Sequence, residues 1–493
     1  MNEIKVLAEL SKHIVNNSSS GLSELKQGKE STLLKNTLNN VYNNDYVASK
    51  DLYGTNPNDV RYKMLKVRLK KKLYNNLFFV DFDKYKVGKV HQAELECIKL
   101  LHHAHALLRL NELDLVLYLV GKVKKVAIKY EFNNCLIDAT ELELTCYTES
   151  GNYKDFKSCR DDLSRLLKIK LYEREAQTIY QSLKLNAKRS VKLRKSQITT
   201  FGSDLKRLYD IYCMIDSFEA FNAYYRASLI YNEMLGNFEA IVDLTIESEN
   251  KIKSGKINTF RFNRLFNKFE LIYSHLRARK LNSGLHYASE YLHELKENTP
   301  NWYAYLENYF LLAVHSAKYE LASSILQRVQ NSSNYLKLSA AAKERWSLYE
   351  AYNLLLSETD GACLSGKNPF LIYLPEYSKD KQGFNVAILI LQFVYFLKKK
   401  ETEALLYRIE SLKKYILTHL KDSFSLRSKT FLRLLILTVT EDFDADSSRK
   451  KGQKLYHRLS EAPTPGDAYA EIEIVPYEHL WEHILVILEN EYK

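Results

Sequence analysis

The sequence predicts an all-α protein, a right-handed solenoid of about eight to ten helix pairs with a small helical N-terminal unit. Three observations predict it. Glycine occurs 15 times and proline 7 times in 493 residues, under half the typical shares of roughly 7% and roughly 5%. So few turn-formers exclude sandwiches, propellers and glycine-rich dinucleotide-binding cores. At 46% hydrophobic and 27% charged, the chain has enough apolar residues for a large core, and wholesale disorder is excluded. Finally, helical stretches recur, broken by short polar turns. After each turn comes an apolar or aromatic residue, then a small or apolar one three positions later.

Four regions follow. Residues 1–85 are a polar, Asn-rich N-terminal unit ending in a basic helix. Residues 90–355 carry the repeats, and 356–383 form an irregular insert with Gly361, Gly366, Pro369, Pro375 and Gly383. Residues 384–493 resume helices and close on a terminal one. The net charge of +12 is uneven, with 16 Lys/Arg against 9 Asp/Glu in residues 1–90. A local surplus of this kind points to an acidic partner.

In the N-terminal unit, Leu33, Leu34, Leu38 and Val41 mark one short helix, and Val47, Ala48 and Leu52 a second, ending at Gly54. No acidic residue lies between Asp59 and Asp81. Tyr62, Leu65, Leu69 and Leu73 keep helical spacing and are assigned to the core. Arg61, Lys63, Lys66, Arg68, Lys70, Lys71 and Lys72 wrap the remaining surface and are candidate contacts for nucleic acid or an acidic partner. Three short helices with a basic last one have the outline of a helix-turn-helix unit. The string from Leu52 to Leu73 faintly resembles the recognition region of winged-helix regulators. Against that, lysines late in a helix contact phosphate more than bases, and Leu77–Phe82 offers only one candidate strand for a wing. A second acid-free run, between Glu175 and Asp204, sets Lys184, Lys188, Lys192 and Lys195 on one helical face.

The repeat signal lies at Leu113/Val116, Tyr153/Phe156, Phe238/Ile241, Leu285/Ala288, Tyr319/Ala322 and, degraded, Thr402/Leu405. Two of the intervals are near double the others, so one turn is expected in each of those gaps. A single helix hairpin cannot bury both faces, and stacked neighbours supply the missing contacts. The clearest unit is 218–253. Its turn, Leu235-Gly236-Asn237-Phe238-Glu239-Ala240, places glycine just past a helix end, where a left-handed backbone is needed. This unit resembles a tetratricopeptide (TPR) repeat, whose turn reads small–x–aromatic–x–x–small. Ala317-Lys-Tyr319-Glu-Leu-Ala322 repeats the arrangement. The strings LPEYSKDKQGFN, LRSKTF and EIVPYEHLW resemble bacterial TPR-like helical-repeat proteins that have no characterised activity, so no activity is carried over.

Several segments imitate chemistry. Gly361–Asn368 nearly spells a P-loop, but Asn368 cannot offer a hydroxyl to Mg²⁺, and Pro369 blocks the helix the motif needs. His479, Glu482 and His483 match H-x-x-E-H, yet no downstream third ligand follows, and Leu480, Trp481, Ile484 and Leu485 mark a packing helix. His102, His103 and His105 near Cys97 are read as core or interhelical histidines. The cysteines at 97, 135, 146, 159, 213 and 363 contain no C-x-x-C pair and are expected to be reduced, buried thiols of a cytoplasmic protein. The apolar run from Phe384 to Leu397 falls short of the roughly 20 residues of a membrane span and is assigned to a buried helix.

The expected function is non-enzymatic: a scaffold that binds a protein or peptide partner on its concave face, without cofactor, metal, membrane or small-molecule substrate. Candidate partner-binding residues are Asn222, Arg226, Arg261, Arg264, Asn301 and Tyr305 on first helices, with Lys379 and Lys381 in the insert and Arg427 at a helix start. Aromatic and arginine side chains make good interface anchors. The alternatives are a cytosolic transcriptional regulator, whose N-terminal unit touches nucleic acid while the repeats sense a ligand, and a zinc-dependent hydrolase.

Overall fold

The computed structural model describes residues 2–11, 28–76, 88–188, 198–357, 385–419, 426–462 and 473–492, and every regular element among them is helical. Two compact units are present, residues 1–172 and 173–493.

The first unit opens with α1 (Asn2–Ser11), α2 (Lys29–Leu38), α3 (Asp45–Tyr53) and α4 (Val60–Asn76). Asn44 caps α3 by accepting the Val47 N–H at 3.0 Å, and Gly54 ends it in a left-handed conformation. Ile4, Leu7, Leu33, Ala48, Tyr62, Leu65, Leu69 and Leu73 form one apolar cluster. The expected core face of α4 is therefore the real one. α1, which the sequence reading left in the polar start, supplies Ile4 and Leu7. Next come α5 (Lys89–Arg109), α6 (Leu113–Tyr130), α7 (Asn133–Glu149) and the 35-residue α8 (Tyr153–Ala187), within which the unit boundary falls. Cys97, Leu101 and Ala104 of α5 pack with Val116, Val120, Val123 and Ala127 of α6 and with Ala139, Leu142 and Cys146 of α7. The three- and four-residue steps put each set on one face.

The second unit continues through α9 (Ile198–Ile215), α10 (Phe218–Leu235), α11 (Phe238–Lys253), α12 (Arg264–Arg277), α13 (Leu281–Tyr291), α14 (Pro300–His315), α15 (Tyr319–Gln330) and α16 (Ala340–Ser357). It ends with α17 (Asn385–Lys398), α18 (Thr402–His419), α19 (Leu426–Thr440), α20 (Ala445–Glu461) and α21 (Tyr477–Glu491). Consecutive helices pack on one another, and one core runs from Val242 to Leu488. α17 is the buried helix expected from the apolar run, with Val386, Ile390, Phe393, Val394 and Leu397 inside. No helix among the described residues is long and apolar enough to cross a membrane.

One turn recurs. A residue with positive φ is followed by a single linking residue, and the next helix then begins. Asn111, Asp216, Gly236, Arg279, Ala317 and Lys400 hold the left-handed position, two residues before the starts of α6, α10, α11, α13, α15 and α18. Three residues into those helices come Val116, Phe221, Ile241, Gly284, Ala322 and Leu405, all buried. Most are the repeat positions seen in the sequence, and the Asp216 turn is the one missing between Tyr153 and Phe238. Leu285/Ala288 needs correction by one turn: the pair that follows the bend is Leu281/Gly284. A Cβ on Gly284 would sit 2.8 Å from Leu312 and 2.9 Å from His275, so the close approach of α13 to its neighbours requires glycine there.

Alternate helices also touch. The Tyr225 hydroxyl of α10 donates to Asn267 of α12 at 2.8 Å, and Arg345 of α16 donates to Glu307 of α14 at 2.7 Å. The first helices of successive pairs (α10, α12, α14 and α16) thus form a row.

Candidate functional site

The row of first helices gathers one group of polar side chains. Ser217 caps α10 by accepting the Ala220 N–H, and Asn263 caps α12 by accepting the Phe266 N–H. These caps fix where each helix starts, and so which side chains share a face. On α10, Asn222, Arg226 and Glu233 lie at steps of four and seven and share one face. On α12, Phe266, Glu270, Tyr273 and Arg277 keep the same kind of spacing. The Arg226 guanidinium lies 4.2 Å from the centre of the Phe266 ring. The Tyr273 hydroxyl donates to Glu233 at 3.3 Å. Beneath them, Asn267 accepts from Tyr225 and donates to the Thr245 carbonyl at 3.1 Å.

Glu270 sits between these groups, part-buried. Its backbone carbonyl accepts from the Ser274 hydroxyl at 2.6 Å, while its carboxylate has no hydrogen bond or ion pair among the described residues. Burial pushes its carboxyl up to about 7, the Glu233 charge adds to the rise, and Arg226 opposes it. Tyr273 is pushed up to about 12 for the same first reason. A perturbed, uncompensated acid beside an arginine seated on an aromatic ring is the pattern of a site that receives a ligand group. The sequence reading picked Asn222 and Arg226 and missed Glu270, Glu233 and Tyr273. Their shared face was readable from spacing, but the isolation of Glu270 depends on what the other helix places around it.

The remaining candidates go elsewhere. Arg261 pairs with Glu219 and stacks 4.4 Å from the Phe218 ring, and Arg264 pairs with Glu249. Arg261 thus lies in the turn before α12 and not on a first helix, and it ties that turn to α10, while Arg264 at the start of α12 ties it to α11. Asn301 is exposed. Tyr305 is buried, and its hydroxyl donates to the Ala288 carbonyl at 2.9 Å, so it is a core residue and not a surface anchor. Lys379 and Lys381, with the P-loop-like string, lie outside the described residues.

Arg427 is likewise no surface group. It is 2% exposed. Its guanidinium donates to both oxygens of Glu478 at 2.8 and 3.1 Å, to Glu473, and to the Leu459 carbonyl at 2.7 Å. Burial alone would lower the arginine's affinity for its proton, and the two carboxylates more than reverse that. His315 meets the Glu473 carbonyl at 2.8 Å, and burial holds its pKa below the usual histidine value. Glu478 also faces Arg279 at 3.5 Å. This centre joins α14, α19, α21 and the turn before α13.

In α4, Lys66 pairs with Asp45 at 2.6 Å, Lys72 and Arg68 with Glu30 at 2.9 and 3.4 Å, Lys70 with Glu3, and Arg61 with Asp59 at 2.8 Å. Lys63 and Lys71 have no such partner among the described residues. Of the histidines expected in the core or between helices, all three of His102, His103 and His105 are exposed, and His105 reaches from α5 to Asp138 of α7 at 2.8 Å; of the cysteines expected to be buried, Cys213 is exposed. In α21, Glu482 is exposed while burial lowers the His479 pKa. Among the described residues no group of three or more His, Cys, Asp or Glu is placed to hold a metal ion.

Compared with protein-family models, curated proteins and solved structures, the chain matches none.

Proposed function

We propose that the helix pairs of residues 173–493 form a right-handed, TPR-like solenoid that acts as a cytoplasmic scaffold. The row of first helices, the concave side in such arrays, holds an extended segment of a protein partner. The supporting observation is Glu270, a part-buried side chain set between Arg226 and Glu233 whose carboxylate has no ion pair among the described residues. Even partial burial of a charge without a close partner is costly to the fold. An incoming lysine or arginine would supply the missing countercharge, and the Phe266 ring and the Asn222 amide extend the contact along the groove.

The test is affinity capture from native lysate by the full chain, with Arg226→Ala/Glu270→Ala as the parallel bait. A protein retained by the wild type and lost from the double variant, with the two baits melting within a few degrees of each other, is the expected result. Equal capture by both baits, or none by either, overturns the proposal.

A further inference from the structure

α4 carries two apolar stripes on opposite sides. At 3.6 residues per turn, Tyr62, Leu65, Leu69 and Leu73 fall on one side and are buried. Val60, Met64, Val67 and Tyr74 fall on the other, where they are 73%, 52%, 59% and 49% exposed. The outer stripe advances in alternating steps of four and three, with Lys71 filling the remaining position. That is the spacing of a helix seam. A helix with only one neighbour to satisfy would be polar on its outer side.

The charges divide by the same geometry. Lys66, Lys70 and Lys72 lie on the flanks and are drawn to Asp45, Glu3 and Glu30 of the surrounding helices. Lys63, at the edge of the outer stripe, and Lys71, at its centre, have no carboxylate partner among the described residues. Arg61 and Arg68 border the other edge, and their side chains remain 65% and 60% exposed despite their pairs. The outer face is therefore an apolar seam lined by cations whose charge the bundle does not fully neutralise.

We infer that the outer face of α4 docks an acidic amphipathic helix of a partner protein. The partner's apolar residues meet Val60, Met64, Val67 and Tyr74, and its carboxylates meet Lys63 and Lys71. Charge complementarity selects this occupant. A second copy would bring the same cations to the seam, and like charges would face each other. A nucleic-acid backbone would satisfy the lysines but leave Val60, Met64 and Val67 against phosphate. This surface is independent of the groove at Glu270.

The test titrates the full chain into a fluorescein-labelled synthetic helix with leucines at alternating three- and four-residue steps and glutamates on both flanks. Saturable binding is expected. Met64→Glu/Val67→Glu should weaken it at least tenfold, and Lys63→Glu/Lys71→Glu likewise, with recovery in the second case when the glutamates of the peptide are replaced by lysines. All four side chains point outward, so the variants should keep the wild-type melting temperature. Val60→Glu provides a second check if either pair fails to fold. The inference is overturned by absence of saturable binding, or by equal binding of a peptide with serines in place of leucines. Displacement of the peptide by duplex DNA or by anionic phosphatidylserine vesicles, or dimerisation abolished by Met64→Glu, also overturns it.

Discussion

Arg427 and Glu270 are both charged residues drawn into the second unit, and they are treated oppositely. Around Arg427 every donor finds an oxygen: two carboxylates and one carbonyl close on a guanidinium that solvent scarcely reaches. Around Glu270 no donor among the described residues closes on the carboxylate, and the nearby Arg226 charge only partly offsets its burial. The lesson is that burial of charge alone does not identify a site; what separates cohesion from recognition is whether the protein itself completes the partners. A compensated cluster holds helices together, and an uncompensated one waits for something to complete it.

Perturbing the two places should give opposite signs. Arg427→Met removes the shared cation and strands Glu473 and Glu478 in the interior. A loss of about 3–5 kcal/mol is expected, as is usual when one member of a buried ion pair is deleted. Urea denaturation of the second unit would measure it, and a loss below about 1 kcal/mol would mean that the centre holds nothing together. Gly284→Val tests the packing that places the row of first helices. Its new atoms meet Leu312 and His275 at distances real side chains do not tolerate, for a cost of roughly 1–3 kcal/mol, visible as a lower melting temperature.

Glu270→Gln should stabilise. The folded carboxyl holds its proton up to about 7, whereas its ordinary value is 4.5. The folded state therefore binds more protons between those pH values, and stability contributed through this residue falls as pH rises across the window. At pH 8 the amide variant should exceed the wild type by about 1–2 kcal/mol after allowance for solvent screening, and at pH 4 the two should agree. Paired calorimetric scans at the two pH values would decide it. Arg226→Ala is the smallest change, under about 1 kcal/mol for loss of the stacking on Phe266. Its effect on stability should be far below its effect on partner capture.

Much of the architecture was legible because helix pairing writes itself at short range. Val116, Ile241, Ala322 and Leu405 sit one turn into their helices and are small or apolar because they meet the preceding helix. The error at Leu285/Ala288 has a plain cause. Those residues lie one turn beyond Leu281 and Gly284 on the same face, so spacing alone favours neither pair. The Asp216 bend was expected only as an unplaced turn between Tyr153 and Phe238, although Phe218 and Phe221 follow it at the same three-residue spacing as the other pairs. The sites were less legible, since their character comes from distant segments. Nothing near Arg427 in the chain announces that Glu473 and Glu478 will enclose it, and nothing beside Glu270 shows that no cation will reach it. On α4 the inner stripe was read correctly, but which lysines remain unneutralised depended on Glu3, Glu30 and Asp45 from other helices.

The bends between helices deserve one last consequence. Asn111 and Ala317 occupy a backbone region that costs an ordinary side chain roughly 1–2 kcal/mol, and each stands where a glycine would rest at ease. The fold thus keeps thermal tolerance in reserve at its corners. Replacing these residues one by one should toughen the molecule against heat while leaving untouched every surface through which it meets others.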